Sequence, residues 1–149
     1  MAFRFSLQAV LRVRAGLKRQ QEIKFRLALA EVVRIKNRIE TLTTAIRESE
    51  NDDRLAMQVG VSATTLHCSL SARSKLTGER ERFQSELKQK EEIRKQQLTL
   101  LQQRRADLEK FETLRRQQRA FYQQENQRRE SQALDEMFLL RREFLKRIR

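Results

Sequence analysis

The side chains able to carry out chemistry are few, and their spacing brings none of them together. His67 is the single histidine and Cys68 the single cysteine. A protein metal site needs three or four converging ligands, and no carboxylate cluster stands close enough in sequence to complete a set around this pair. A lone thiol supports no internal disulfide framework, in keeping with a reducing compartment. The 20 Asp and Glu residues are interspersed among 33 Lys and Arg, a pattern in which salt bridging along helix faces is the default use of a carboxylate. Phosphate loops, nucleophile elbows and glycine-rich dinucleotide turns are absent. No catalytic residue, cofactor site, metal site or small-molecule substrate is therefore expected.

Charge is the strongest chemical signal. A formal net charge of +13 and a pI near 11.0 require an anionic partner or environment: nucleic acid, an acidic membrane surface or an acidic protein cavity. The pairs Arg104-Arg105, Arg115-Arg116, Arg128-Arg129 and Arg141-Arg142 could neutralise phosphates. Their separations of 11, 13 and 13 residues turn successive pairs around a helix axis at about 100° per residue, so they build no single groove-binding stripe. Aromatic residues are not interleaved with them as a base-stacking platform requires. Nucleic acid is thus the weaker of the available partners.

The elements that must carry these charges are helices. Pro is absent and Gly occurs 3 times, so the strongest helix breakers are nearly missing. Hydrophobic types make up 38% of the chain, too little for a thick globular core but enough for a coiled-coil seam. Ser6 is a candidate N-cap, with Phe5 before it and Val10 four helical positions on, the arrangement of a hydrophobic staple. Phe25, Ala28, Val32, Ile35, Ile39, Leu42 and Ile46 then recur in steps of three and four, a heptad seam that argues for a facing helix. Lys24, Arg34, Lys36 and Arg38 coat the remaining faces. Gly60 is the best turning point, and Ser62 is a second cap candidate.

These signals predict an all-α fold: a long antiparallel two-helix coiled coil, a helical hairpin with a short helix or irregular segment at the turn. The expected organisation is one elongated domain over 1–149, with a helix at about 6–58, a turn and short helix at about 59–78 with Gly78 a soft spot, and a helix at about 79–148. At ~1.5 Å per residue such a rod is roughly 80 to 100 Å long. Lys90, Arg94 and Gln97 fall where the return helix should be apolar, so a loose middle is expected, their stems lying over the seam. The last segment carries Ala133, Met137, Leu140 and Phe144, widened by Leu134, Phe138, Leu145 and Ile148, more apolar surface than a facing helix near Leu7 and Leu11 can cover. No run approaches the ~20 apolar residues that span a bilayer, and no leader pattern opens the chain. A cytoplasmic location is expected.

The opening Phe3-Arg-Phe-Ser-Leu7-Gln-Ala-Val10-Leu11-Arg-Val-Arg14 resembles the N-terminal signature of the FliJ family, the small coiled-coil component of the bacterial flagellar export apparatus, a type III secretion system. The tail Glu130-Ser-Gln-Ala-Leu134-Asp135-Glu136, preceded by Leu108, Phe111-Glu112-Thr113-Leu114 and two Arg pairs, resembles that family's C-terminal segment. The resemblance implies a non-enzymatic stalk similar to the central shaft of rotary ATPases. Its joined ends would enter and stimulate a hexameric export ATPase (FliI-like), and other parts would contact the export gate (FlhA-like) and export chaperones, at the cytoplasmic face of the inner membrane at the flagellar base. Phe3, Phe5, Leu7, Val10, Leu11, Leu134, Asp135 and Glu136 would then belong to the ring-binding end, and the surplus apolar residues Phe138, Leu139 and Leu145 suit a collar of loops. The virulence-secretion relative of this family stays open as the machine served. A basic coiled coil associated with nucleic acid or ribosomes is the competing function.

Overall fold

A computed structural model describes residues 3–147, with side chains described through Phe144. It contains α1, Gln8–Val59, of 52 residues, and α2, Ala63–Arg147, of 85 residues. No strand occurs among the described residues. The fold is all-α, a helical hairpin in which the two helices pack as an antiparallel pair. By its internal packing the chain divides into two compact units, residues 19–103 and residues 1–18 with 104–149.

The turn is short because its residues satisfy both helix ends at once. Gly60 has φ of 89°, a left-handed conformation that only glycine adopts without strain. Its N–H donates to the Ala56 carbonyl at 3.1 Å, closing the end of α1 as an αL cap. Two residues later the Ser62 carbonyl accepts the first bond of α2 from Leu66, and its hydroxyl accepts from the Thr65 N–H at 3.3 Å. Ser62 is therefore the N-cap of α2. At the other cap the expectation shifts by a residue: the Leu7 carbonyl accepts the first bond of α1, from Leu11, and a tight turn from Phe5 to Gln8 precedes it. Leu7 rather than Ser6 is the cap position, and Ser6 is exposed.

The separate short helix expected up to about residue 78 does not exist. α2 runs unbroken from Ala63 through Gly78. One helical glycine costs about 1 kcal/mol, less than the packing of Leu76 and Phe83, both half-buried on either side of it, can offset. A methyl group at Gly78 would meet nothing within 4 Å, so Gly78→Ala should stabilise the protein by about 0.5–1 kcal/mol. Gly60→Ala should destabilise it by at least about 1 kcal/mol, through strain at its positive φ. Urea denaturation followed by circular dichroism measures both, and opposite signs are expected.

In the unit of residues 19–103 the seam of α1 is Gln21, Phe25, Ala28, Val32, Ile35, Ile39, Leu42 and Ile46. Val32, Ile35, Leu42 and Ile46 are buried, Ile35 at 1% exposure, while Phe25, Ala28 and Ile39 are half-buried. The facing seam of α2 keeps the same three-and-four spacing: Leu66, Ser69, Arg73, Leu76, Arg80, Phe83, Leu87, Lys90, Arg94, Gln97 and Leu101 are all buried or half-buried. The irregularity expected of this helix lies in residue type, not in periodicity. Lys90, Arg94 and Gln97 occupy the seam rather than interrupting it, with Leu101 beyond them at 2% exposure.

Hydrogen bonds accommodate several of these polar occupants. Gln21, 8% exposed, donates from Nε2 to Gln97 Oε1 at 2.7 Å and to the Gln97 carbonyl at 3.2 Å. Near the turn, Asp53 pairs with Arg73 and accepts from the Ser69 hydroxyl at 2.6 Å, and Arg73 also donates to the Ser49 carbonyl at 3.3 Å. Buried polar layers of this kind fix register, since a slip leaves each group unpaired. Arg80 and Arg94 bring buried Nε groups into the seam with no hydrogen-bond partner among the described residues. On the flanks, Arg38 pairs with Glu79 at 2.7 Å and lies over the Phe83 ring. Lys36 pairs with Glu91 at 2.9 Å and holds that carboxyl below its ordinary range. With a folded pKa below the unfolded one, the pair's small contribution is present at neutral pH and fades as pH falls through the folded value.

Candidate functional site

The remaining unit holds all the residues assigned from sequence to a ring-binding end, and it divides them into two groups. The first lies in the N-terminal segment and the opening turns of α1. Phe5 and Leu11 are buried, and Phe3, Leu7 and Val10 are half-buried. Phe3 meets the Tyr122 ring at 5.6 Å between centroids. Arg14 pairs with Asp107 at 3.3 Å and lies over Phe111. The start of the chain therefore packs against α2 between about residues 107 and 122, and not against Ala133 to Phe144, the described part of the segment that its apolar character suggested. An open groove of about 620 Å³ runs beside this contact, lined by Phe3, Arg4, Leu114, Phe121, Tyr122 and Arg129 among others.

The second group lies on the part of α2 that continues past this contact. From Gln127 to Phe144 every residue is exposed. Leu134 and Met137 are each 67% exposed and Phe138 73%, and Leu139, Leu140 and Phe144 are open to a similar degree. Asp135 and Glu136 are exposed on the same turns. Leu145 belongs to α2, but its side chain, like all of Ile148, lies outside the described residues.

The apolar stripe of this tail is not a continuation of the face that α2 turns toward α1. That face carries Leu108, Phe111, Tyr122 and Glu125, half-buried and in heptad phase. Extending the phase along the tail selects Arg129, Gln132, Glu136, Leu139 and Glu143, which are mostly polar. The apolar residues Ala133, Met137, Leu140 and Phe144 come one position later, and Leu134 and Phe138 two. At about 100° per residue the stripe is centred roughly 80° around the axis from the α1-facing side. Sequence periodicity alone contained this rotation, but it becomes visible only once the seam of α2 is traced through its cationic positions.

Charge follows the same partition. Residues 1–18 and 104–149 hold 17 Lys and Arg against 8 Asp and Glu, while residues 19–103 hold 16 against 12. No group of three or more His, Cys, Asp or Glu side chains able to hold a metal occurs among the described residues, and His67 and Cys68 are exposed on α2. Nor is any helix among the described residues long and apolar enough to cross a membrane.

The structure is that of an all-α helical hairpin protein whose seam includes polar layers and whose longer helix presents an uncovered apolar face. The family described as Flagellar FliJ protein matches residues 3–147, and the chain belongs to that family. It is a protein associated with flagellar export, in a family of structural or export components rather than enzymes. Comparison with curated proteins and with solved structures gives no match.

Proposed function

We propose that this chain is the stalk of the export apparatus: its α2 tail enters the ring of a hexameric FliI-like export ATPase and stimulates hydrolysis, while other parts reach a FlhA-like export gate and export chaperones. The observation that carries this reading is the uncovered tail from Gln127 to Phe144. An isolated helix of that length is marginal in water, because most helical stability comes from packing. Its apolar stripe is also broader than the narrow seam that pairs two helices, which suits a partner enclosing it from more than one side. The basic excess of the same unit favours an acidic enclosure. Such a stalk works at the cytoplasmic face of the inner membrane at the flagellar base and serves motility.

Within this reading the N-terminal residues have a supporting role. Phe5 and Leu11 are buried, so they hold the start of α1 on α2 rather than meeting the ATPase. Purified chain added to the purified export ATPase should stimulate ATP hydrolysis at physiological salt. Tight, salt-resistant binding to RNA or DNA with no effect on hydrolysis would instead favour the basic nucleic-acid coiled coil.

A further inference from the structure

Beyond the ATPase, we propose a second ligand for the tail of α2: the surface of a bilayer rich in anionic lipid, on which residues 127–147 lie flat as an amphipathic helix. Three observations meet in this segment. It is already helical, so adsorption requires no coil-to-helix ordering. Its apolar face carries Leu134, Met137, Phe138, Leu140 and Phe144, all more than half exposed, with aromatic side chains of the kind that settle at the boundary between headgroups and acyl chains. Residues 127–147 contain 6 Lys and Arg against 4 Asp and Glu. By helical phase Arg142 falls on one flank of the apolar face and Arg129 on the other, Arg128 falls on the opposite side of the helix, and Arg141 lies within the apolar face, where its long stem can keep the charge at the headgroups.

Charge selects this occupant over a second copy of the chain. Two tails would each bring a positive excess to the contact, and the apolar stripe is wider than a two-stranded seam needs. An anionic bilayer supplies the opposite sign and accepts a broad stripe. The helix is not apolar enough to span it, so the association is peripheral and reversible.

The test is flotation of the full chain with vesicles of phosphatidylcholine alone or with about one third phosphatidylglycerol, without ATPase. Binding to the anionic vesicles only is expected. Phe138→Ser with Phe144→Ser, which leaves net charge unchanged, should weaken it at least about tenfold. Arg34→Ala with Lys88→Ala, outside the tail, should change it less than about threefold. No binding to anionic vesicles overturns the proposal. So does equal binding of the Phe138/Phe144 variant, which would assign adsorption to overall charge. A concentration-dependent dimer by analytical ultracentrifugation that this variant abolishes would assign the face to a second copy and overturn it as well. Stimulation of the ATPase, measured without lipid, succeeds or fails separately from each of these outcomes.

Discussion

Replacing Ile35 with Asp should unfold the hairpin around it, at a cost of at least about 3–5 kcal/mol. Ile35 is 1% exposed, between Val32 at 2% and Leu42 at 3%, so the substitution loses a packed aliphatic side chain and puts a carboxylate where no partner waits. Each of those losses is worth several kcal/mol, against a total stability of about 5–15 kcal/mol for a typical domain. The neighbouring change Arg34→Ala removes an exposed i,i+3 pair with Glu31, worth at most about 0.5 kcal/mol. Thermal melts followed by far-UV circular dichroism should separate the two variants widely. Coincident melts would show that Ile35 is not in a closed seam.

The second large effect is functional. Phe138→Ser with Leu139→Ser should leave the melting transition within about 1 kcal/mol of the parent, because both side chains are exposed and only helix propensity is lost. The same double substitution should abolish stimulation of the export ATPase. Large apolar groups open to water on a helix add little to the hairpin and are expected to serve the proposed contact. Phe5→Ser provides the contrast. Phe5 is 8% exposed, so its loss should cost about 3 kcal/mol, and any loss of stimulation would accompany loss of structure. If the tail variant unfolds, its residues are core. If it stays folded and stimulates fully, the ATPase contact lies elsewhere.

Much of the hairpin was legible because its signals are local. The Phe25 to Ile46 spacing, the glycine at position 60 and the Ser62 hydroxyl each act within a few residues, and each appears in the structure as a seam, an αL cap and an N-cap. What the sequence concealed was register. Reading Gly78 as a break starts the return helix about sixteen residues later than Ala63, and that displacement carries the tail back over Leu7 and Leu11. A helical glycine costs too little to stop a helix whose flanking residues are packed. Arg38 was equally opaque: as a letter it belongs to the basic coat, yet it bridges to Glu79 and covers Phe83.

The candidate site was half legible. Surplus apolar character at the end of α2 was plain in Leu134, Phe138 and Leu140, and they are uncovered. The N-terminal group looked equivalent because Phe3, Phe5 and Leu11 are just as apolar, but apolarity does not tell a core from a contact. Only the placement of Phe5 beneath the first turn, with Phe3 on Tyr122, separates them. The cations in the α2 seam hid its phase for a related reason. Arg73, Arg80, Lys90, Arg94 and Arg104 are half-buried at seam positions, where their long stems can serve as apolar surface, so a search for apolar letters passes over them.

The most direct measurement of the central claim is site-specific photo-crosslinking of the chain to the purified export ATPase proposed as its partner. A benzophenone side chain introduced in place of Phe138 should give an adduct with the ATPase under ultraviolet light, whereas the same group in place of Leu100, which is also exposed but outside the tail, should give none. An adduct from position 100 with none from position 138 would contradict the account.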